Sequence, residues 1–147
     1  MRALVQRVLQ AEVSVGDRMA GRCRKGLLVY VGISPGDSPE AAEWLGEKIA
    51  NLRIFEDEQG KMNLSAEDVR GGILAVPSFT LLGDARKGRR PAFTDAAGPE
   101  IAAPLFEKFV EAVRRQGVPI ACGLFGADMV IRSDADGPVN LCIDSPM

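Results

Sequence analysis

The sequence predicts an α/β fold in which two strand–helix units are flanked by additional strands. Three observations carry this expectation. Gly26-Leu27-Leu28-Val29-Tyr30-Val31-Gly32 and Gly72-Ile73-Leu74-Ala75-Val76 are short apolar runs bounded by turn residues, the pattern of buried strands. Each is followed, after a loop, by a segment whose apolar residues recur at helical spacing. Alternating patterns occupy both ends of the chain. At 147 residues this is one domain spanning 1–147, long enough to bury a core.

The elements follow in order. Residues 2–9 and 11–15 alternate as strands, Gly16-Asp17 supplies a turn, and a short strand near 18–22 closes a hairpin. After the first buried run, Ser34-Pro35-Gly36-Asp37 breaks the chain. Ser38 then serves as N-cap and Pro39 as first residue of a helix. Its apolar face is Ala41, Leu45, Ile49 and Leu52. Arg53-Ile54-Phe55 reads as a short strand, Glu56 to Gly60 as a turn, and Lys61-Met62-Asn63-Leu64 as its return. Pro77, at the end of the second buried run, suggests an edge or a bulge. A second helix covers about 99–116, with Ile101, Leu105, Phe109, Ala112 and Val113 on its face. Gly117 stops it, and Arg114 and Arg115 suit its C-terminal dipole. Pro104 either kinks this helix or marks where its regular part begins. Strands near 118–122, 127–133 and 138–143 complete the chain. The two strand–helix units hint at a duplication too short to establish.

Composition narrows the chemistry. A hydrophobic fraction of 46% with 26% charged residues is that of a globular protein, and no apolar run is long enough to span a bilayer. The first residues lead directly into a strand pattern, so no signal peptide is expected and the protein reads as cytoplasmic. The three cysteines are widely spaced, which suits reduced thiols and gives no CxxC metal site. Histidine is absent, which removes Ser-His-Asp and Cys-His catalysis and every histidine-containing metal site. Asp84, Asp95 and Asp128 have no spacing that demands a metal, so neither metal nor cofactor is expected. The net charge of −2 argues against non-specific coating of nucleic acid. It leaves room for a local basic site, because Arg86, Lys87, Arg89 and Arg90 cluster in one loop.

The most informative segment is Val76 to Asp95. A buried strand ends at Ser78, Phe79 and Thr80, and a glycine-punctuated basic loop follows at once. Polar groups at a strand end beside a cationic loop suit an anionic substrate. Near the far end stands Asp136-Gly137-Pro138, a good turn sequence by itself.

In order and spacing, these segments resemble the D-aminoacyl-tRNA deacylase family, historically called D-tyrosyl-tRNA deacylase. The likeness runs from Ala3-Leu4-Val5-Gln6-Arg7-Val8 through Asn51-Leu52-Arg53-Ile54-Phe55 and Gly60-Lys61-Met62-Asn63-Leu64. It continues through Phe79-Thr80-Leu81, Arg86 to Pro91 and Phe93-Thr94-Asp95. Phe125-Gly126-Ala127-Asp128-Met129 and Asp136-Gly137-Pro138-Val139 complete it. The family's motifs, Ser-Gln-x-Thr and Asn-x-Gly-Pro-Val-Thr, are both altered. The first reads Pro77-Ser78-Phe79-Thr80 and the second Ala135-Asp136-Gly137-Pro138-Val139-Asn140. Leu124 stands where many members carry arginine.

The resemblance implies a homodimer of three-layer α/β/β subunits that hydrolyses the ester joining a D-amino acid, or glycine, to the end of tRNA. It implies Thr80, Ser78 and Phe79 as catalytic residues. Threonine needs a base to act as nucleophile, so Thr80 either attacks or orients the ester while main-chain N–H groups hold the oxyanion. Phe79 would stack on the terminal adenine; on pattern alone it reads as core. Gly137 and Pro138 would form a cis peptide that projects into the partner's pocket and leaves no room for an L side chain. Arg7 would brace that loop and Met129 would line the pocket. Arg86, Lys87, Arg89 and Arg90 would meet tRNA phosphates, although charge runs are often merely solvated. The altered motifs admit two other readings, a non-catalytic tRNA-binding paralogue and a deacylase of changed stereochemical preference.

Overall fold

The computed structural model describes residues 1–146. Strand β1 (Arg2–Val15) is followed by β2 (Arg18–Cys23), β3 (Gly26–Gly32), helix α1 (Pro39–Ala50) and a small hairpin of β4 (Phe55–Glu56) and β5 (Met62–Leu64). Then come β6 (Gly72–Pro77), a single 3-10 turn (Phe79–Leu82), helix α2 (Pro99–Arg115), β7 (Ile120–Cys122) and β8 (Val130–Asp144). The main sheet runs β2-β1-β3-β6-β7, with β8 on the other side of β1. The two apolar runs pair in parallel, Gly26 against Gly72 through Val31 against Pro77, as buried strands of βα units do.

Period-two alternation sends successive side chains to opposite faces and builds two cores. Ala3, Val5, Leu27, Val29, Val31, Ile73 and Ala75 pack on one face against Leu45, Ile49, Leu105 and Phe109 of the two helices. Val8, Ala11, Val13, Leu28, Leu74 and Val76 pack on the other, with Cys23 and Ile131. That second core exists because β1 bends. Its first half pairs with β3 and its second half with β2, which folds back over the sheet. The overlap is close at Gly21, where a Cβ would lie 2.8 Å from the Cys122 carbonyl oxygen. Helices, central sheet and folded-over strands make three layers, as the resemblance implies.

Helix α1 starts as expected. The Ser38 hydroxyl accepts from the Ala41 N–H at 3.1 Å, with Pro39 at the first position. Leu52 lies beyond its end, where Asn51 caps it by donating to the Glu47 carbonyl. Helix α2 runs unbroken through Pro104. The ring is on the exposed side, and the missing N–H frees only the Glu100 carbonyl in the first turn, where water reaches it. Leu105, Phe109, Ala112 and Val113 are buried as expected, whereas Ile101 is 38% exposed and Ala102, Phe106 and Val110 widen the buried face instead.

Two other expectations are corrected. Residues 2–9 and 11–15 are one strand with a bulge at Leu9, not two. The strands expected near 127–133 and 138–143 are likewise legs of the single strand β8, which starts at Val130, because β1 pairs with both.

Candidate active site

Strand β6 ends in an interior position. Ala75 faces β7 and accepts from the Gly123 N–H at 2.8 Å, so two residues on Pro77 faces the same way. Pairing with β7 has already ended at Cys122, so the missing N–H of Pro77 deprives no partner. Pro77 therefore sits at a local edge, unpaired on the β7 side and paired with β3 on the other, and marks no bulge. The Ser78 N–H donates to the Val31 carbonyl at 2.8 Å and keeps the chain on β3 before it turns. The turn brings two hydroxyls together: Ser78 Oγ and Thr80 Oγ1 are 3.0 Å apart.

A largely apolar cavity of about 350 Å³ opens beside this turn, within the size range of small-ligand sites. Ser78 and Phe79 line it, with Phe93 and Phe125 from two distant loops and Gly98-Pro99 at the start of α2. Thr80 stands outside it, exposed, and connects to it through the Ser78 hydroxyl. Phe79 is not a core residue. It is 57% exposed and meets Phe93 edge-to-face, ring centroids 5.3 Å apart. Its ring is thus exposed beside the cavity rather than packed in the core. Met129 does not line this cavity; it packs half-buried against the second core, over Gly123.

The basic loop is closed by reciprocal backbone hydrogen bonds between Asp84 and Ala92, both 2.8 Å. Arg86 is engaged inside the loop, with Nε 2.8 Å and Nη2 2.6 Å from the two Asp84 carboxylate oxygens. Those bonds hold the Asp84 carboxyl below the usual carboxylate range. Lys87, Arg89 and Arg90 are exposed and carry no ion pair among the described residues.

Gly137 and Pro138 are joined by a cis peptide in the middle of β8. Gly137 has φ +136°, and a Cβ there would fall 2.5 Å from the Val139 nitrogen. Only glycine fits this conformation. Arg7, buried at 6% exposure, reaches the excursion from the helix side. Its Nη1 donates to the Ile54 carbonyl at 2.7 Å and its Nε lies 3.2 Å from Asp136 Oδ2. The latter contact is an ion pair without hydrogen-bond alignment, since the buried Nε–H finds no acceptor. β8 is separated from β6 by β1 and β3, a lateral distance of about 14 Å across three inter-strand spacings, and Gly137 stands level with Ile73, toward the end of β6 away from Thr80.

Burial pushes the Cys23 thiol up to about 11 and raises that of Cys122 as well, which suppresses their thiolates.

The sequence profile of a family described as D-Tyr-tRNA(Tyr) deacylase matches residues 4–144. The chain belongs to this family. A relative from Roseiflexus sp. named D-aminoacyl-tRNA deacylase is 53% identical over 99% of this chain and 94% of its own. Another of that name, from Thermotoga petrophila, is 49% identical over 99% and 97%. The solved structure of a c-Myc DNA unwinding element binding protein superposes with a TM-score of 0.91 at 39% identity over 100% of both chains. A probable eukaryotic D-amino acid tRNA deacylase shares the fold, with a TM-score of 0.83 over 97% of this chain. The deacylase is thus a hydrolase acting on D-aminoacyl-tRNA, as the resemblance implied, and the comparisons favour this over a non-catalytic paralogue. Sequence reasoning did not assign Phe93, Phe125 or Asp136 to the site. The first two stand in matched segments, Phe93-Thr94-Asp95 and Phe125-Gly126, which was the available signal. Asp136 becomes Arg7's partner only through strand register.

Proposed function

We propose that this deacylase works as a homodimer in which Gly137-Pro138 of each subunit screens the substrate held at Ser78, Phe79 and Thr80 of the other. The observation that carries this reading is the strand order. Two strands lie between Gly137 and Thr80 within a chain, so the two elements meet only across an interface. The outer edge of β8 supports it, since 15 residues of edge strand without a second neighbour call for a cover.

The terminal adenine stacks on Phe79, and the Ser78–Thr80 hydroxyl pair orients the ester. Water adds to the ester carbonyl with main-chain N–H groups holding the oxyanion. The bond to the ribose oxygen breaks, that oxygen takes one of the water's protons to become a hydroxyl, and the amino acid leaves as its carboxylate with the second proton passing to solvent. The neighbouring ribose hydroxyl assists the water, since the chain offers no imidazole. Main-chain atoms around Gly137-Pro138 occupy the space an L side chain needs. A D residue points its side chain away, and glycine has none, so both are hydrolysed. Met129 supports the pocket from the second core. Lys87, Arg89 and Arg90 meet tRNA phosphates, with Arg86 shaping their loop. The enzyme acts in the cytoplasm, where charged tRNA is found; no helix among the described residues is long and apolar enough to cross a membrane.

The test mixes two impaired proteins. Thr80→Ala and Gly137→Ala are unfolded and refolded together, then assayed on D- and L-tyrosyl-tRNA with chelator present. A trans site regains about one quarter of wild-type D-specific turnover, because half the dimers are mixed and each has one intact site. No recovery from a mixture shown to contain mixed dimers sinks the cross-subunit reading. Hydrolysis of neither substrate by the unmutated protein sinks the chemistry.

A further inference from the structure

The Gly137-Pro138 excursion is held by side chains, not by the ladder. Gln6 pairs with Asn140 and Val8 with Ala135, so the four residues 136–139 stand opposite Arg7 alone. A bulge of this size has no regular cross-strand bonds to fix it. Arg7 grips it from the helix side. Gln6, the adjacent residue, projects to the opposite face. Its Nε2 donates to Asn140 Oδ1 at 3.1 Å, and its Oε1 accepts from Ser133 Oγ at 3.3 Å. Asn140 follows the excursion directly and Ser133 precedes it on the other leg. One amide therefore ties both legs across the concave bend of β1. Gln10 adds a bond to Asp134 Oδ2 at 2.8 Å on the first leg.

We propose that Gln6 is a positioning residue for stereochemical selection, setting where the Gly137-Pro138 tip stands by locking the two legs of β8 together. The inference rests on the reading that this tip screens the substrate. Steric rejection of an L side chain depends on sub-ångström placement of main-chain atoms, so a loosened tip admits L substrates before it loses D substrates. Gln6 touches neither reacting atoms nor substrate.

Gln6→Met keeps the length and removes both hydrogen bonds. Gln6→Glu keeps an acceptor for Ser133 and for a turned Asn140 amide. Each is assayed for kcat/KM on D- and L-tyrosyl-tRNA, beside Gly137→Ala and with melting temperatures. Gln6→Met is expected to lower the D/L ratio about tenfold, chiefly by gaining on the L substrate, with Gln6→Glu restoring most of it. An unchanged ratio in Gln6→Met while Gly137→Ala changes it overturns the role of Gln6. A proportional loss on both substrates also overturns it, because that is a purely structural effect. If neither variant moves the ratio, the reading of the Gly-Pro tip itself fails. Should Gln6→Met not fold, Ser133→Ala combined with Asn140→Ala removes the same bonds from the other side and is judged by the same ratio.

Discussion

The Ser78–Thr80 turn and the Gly137-Pro138 excursion are built in opposite ways. The turn is exposed, and one hydroxyl contact of 3.0 Å and the edge-to-face contact of Phe79 with Phe93 are its side-chain organisation. The tip of the excursion is exposed as well, but its legs are tied by Gln6, Arg7 and Gln10, from both faces of one strand. On the proposed reading, the difference follows from what each must do. Orienting an ester is a task the bound substrate helps complete, since its own adenine and ribose fix the geometry. Rejecting an enantiomer is done by protein atoms alone, and a screen that yields does not discriminate. Rigidity is therefore concentrated at the element that excludes, and substitutions in the two regions should fail differently: selectivity in one, rate in the other.

The largest effect is expected at Arg7. Arg7→Met leaves the Ile54 carbonyl without its buried donor and Asp136 without its cation. Breaking a buried pair from one side costs about 3–5 kcal/mol, and the partial exposure of Asp136 brings this to roughly 2–3 kcal/mol. A fall of about 5–10 °C in melting temperature follows at fixed protein concentration. The D/L ratio should fall more than for Gln6→Met. An unchanged melting temperature with an unchanged ratio would show that the excursion does not depend on Arg7.

Thr80→Ala should act on rate. Loss of an orienting hydroxyl is expected to lower kcat on D-tyrosyl-tRNA by about tenfold to a hundredfold, or roughly 1.4–2.7 kcal/mol of barrier. The D/L ratio should stay as it is. Ser78→Ala removes only Thr80's partner and should cost about a third- to one-unit change in log kcat. Full activity in Thr80→Ala takes that hydroxyl out of the mechanism. A changed D/L ratio in either variant would erase the proposed separation between the two regions.

Much of this arrangement was legible, and the limits have physical causes. The strand–helix units were readable because burial on both faces leaves unbroken apolar runs, and Ser38-Pro39 announces a helix start. β8 read as two strands because its outward residues are polar and Gly137-Pro138 interrupts the alternation; only pairing with β1 makes it one. Phe79 looks like core in an apolar stretch, yet the turn after Pro77 carries it to the surface. The shift from Ile101 to Ala102 and Phe106 depends on the angle at which α2 meets the sheet, which periodicity does not fix. Phe93 and Phe125 reach the cavity from loops 14 and 46 residues beyond Phe79, a closure only the fold supplies. Gln6's two partners lie 127 and 134 residues away, and no local pattern points to them.

The smallest effect separates four neighbouring cations that look equivalent in sequence. Arg86 is held by Asp84, whereas Lys87, Arg89 and Arg90 project without such a partner. Charge reversal at Arg89 and Arg90 should raise KM for aminoacyl-tRNA and reduce its salt dependence by about one unit of log–log slope for each phosphate the loop no longer neutralises. Arg86→Ala should change the slope less, because its guanidinium already spends its charge within the loop. The variant also leaves Asp84 as an unpaired negative charge in the loop, so a modest uniform rise in KM is expected with only a small change in slope. Equal slopes for Arg86→Ala and Arg89→Ala would mean that RNA displaces Asp84 from Arg86. An unchanged KM at low salt for the Arg89 and Arg90 reversals would remove the loop from the RNA interface altogether. In every case the D/L ratio should hold, because phosphate contacts strengthen binding of both enantiomers alike and leave the choice between them to β8.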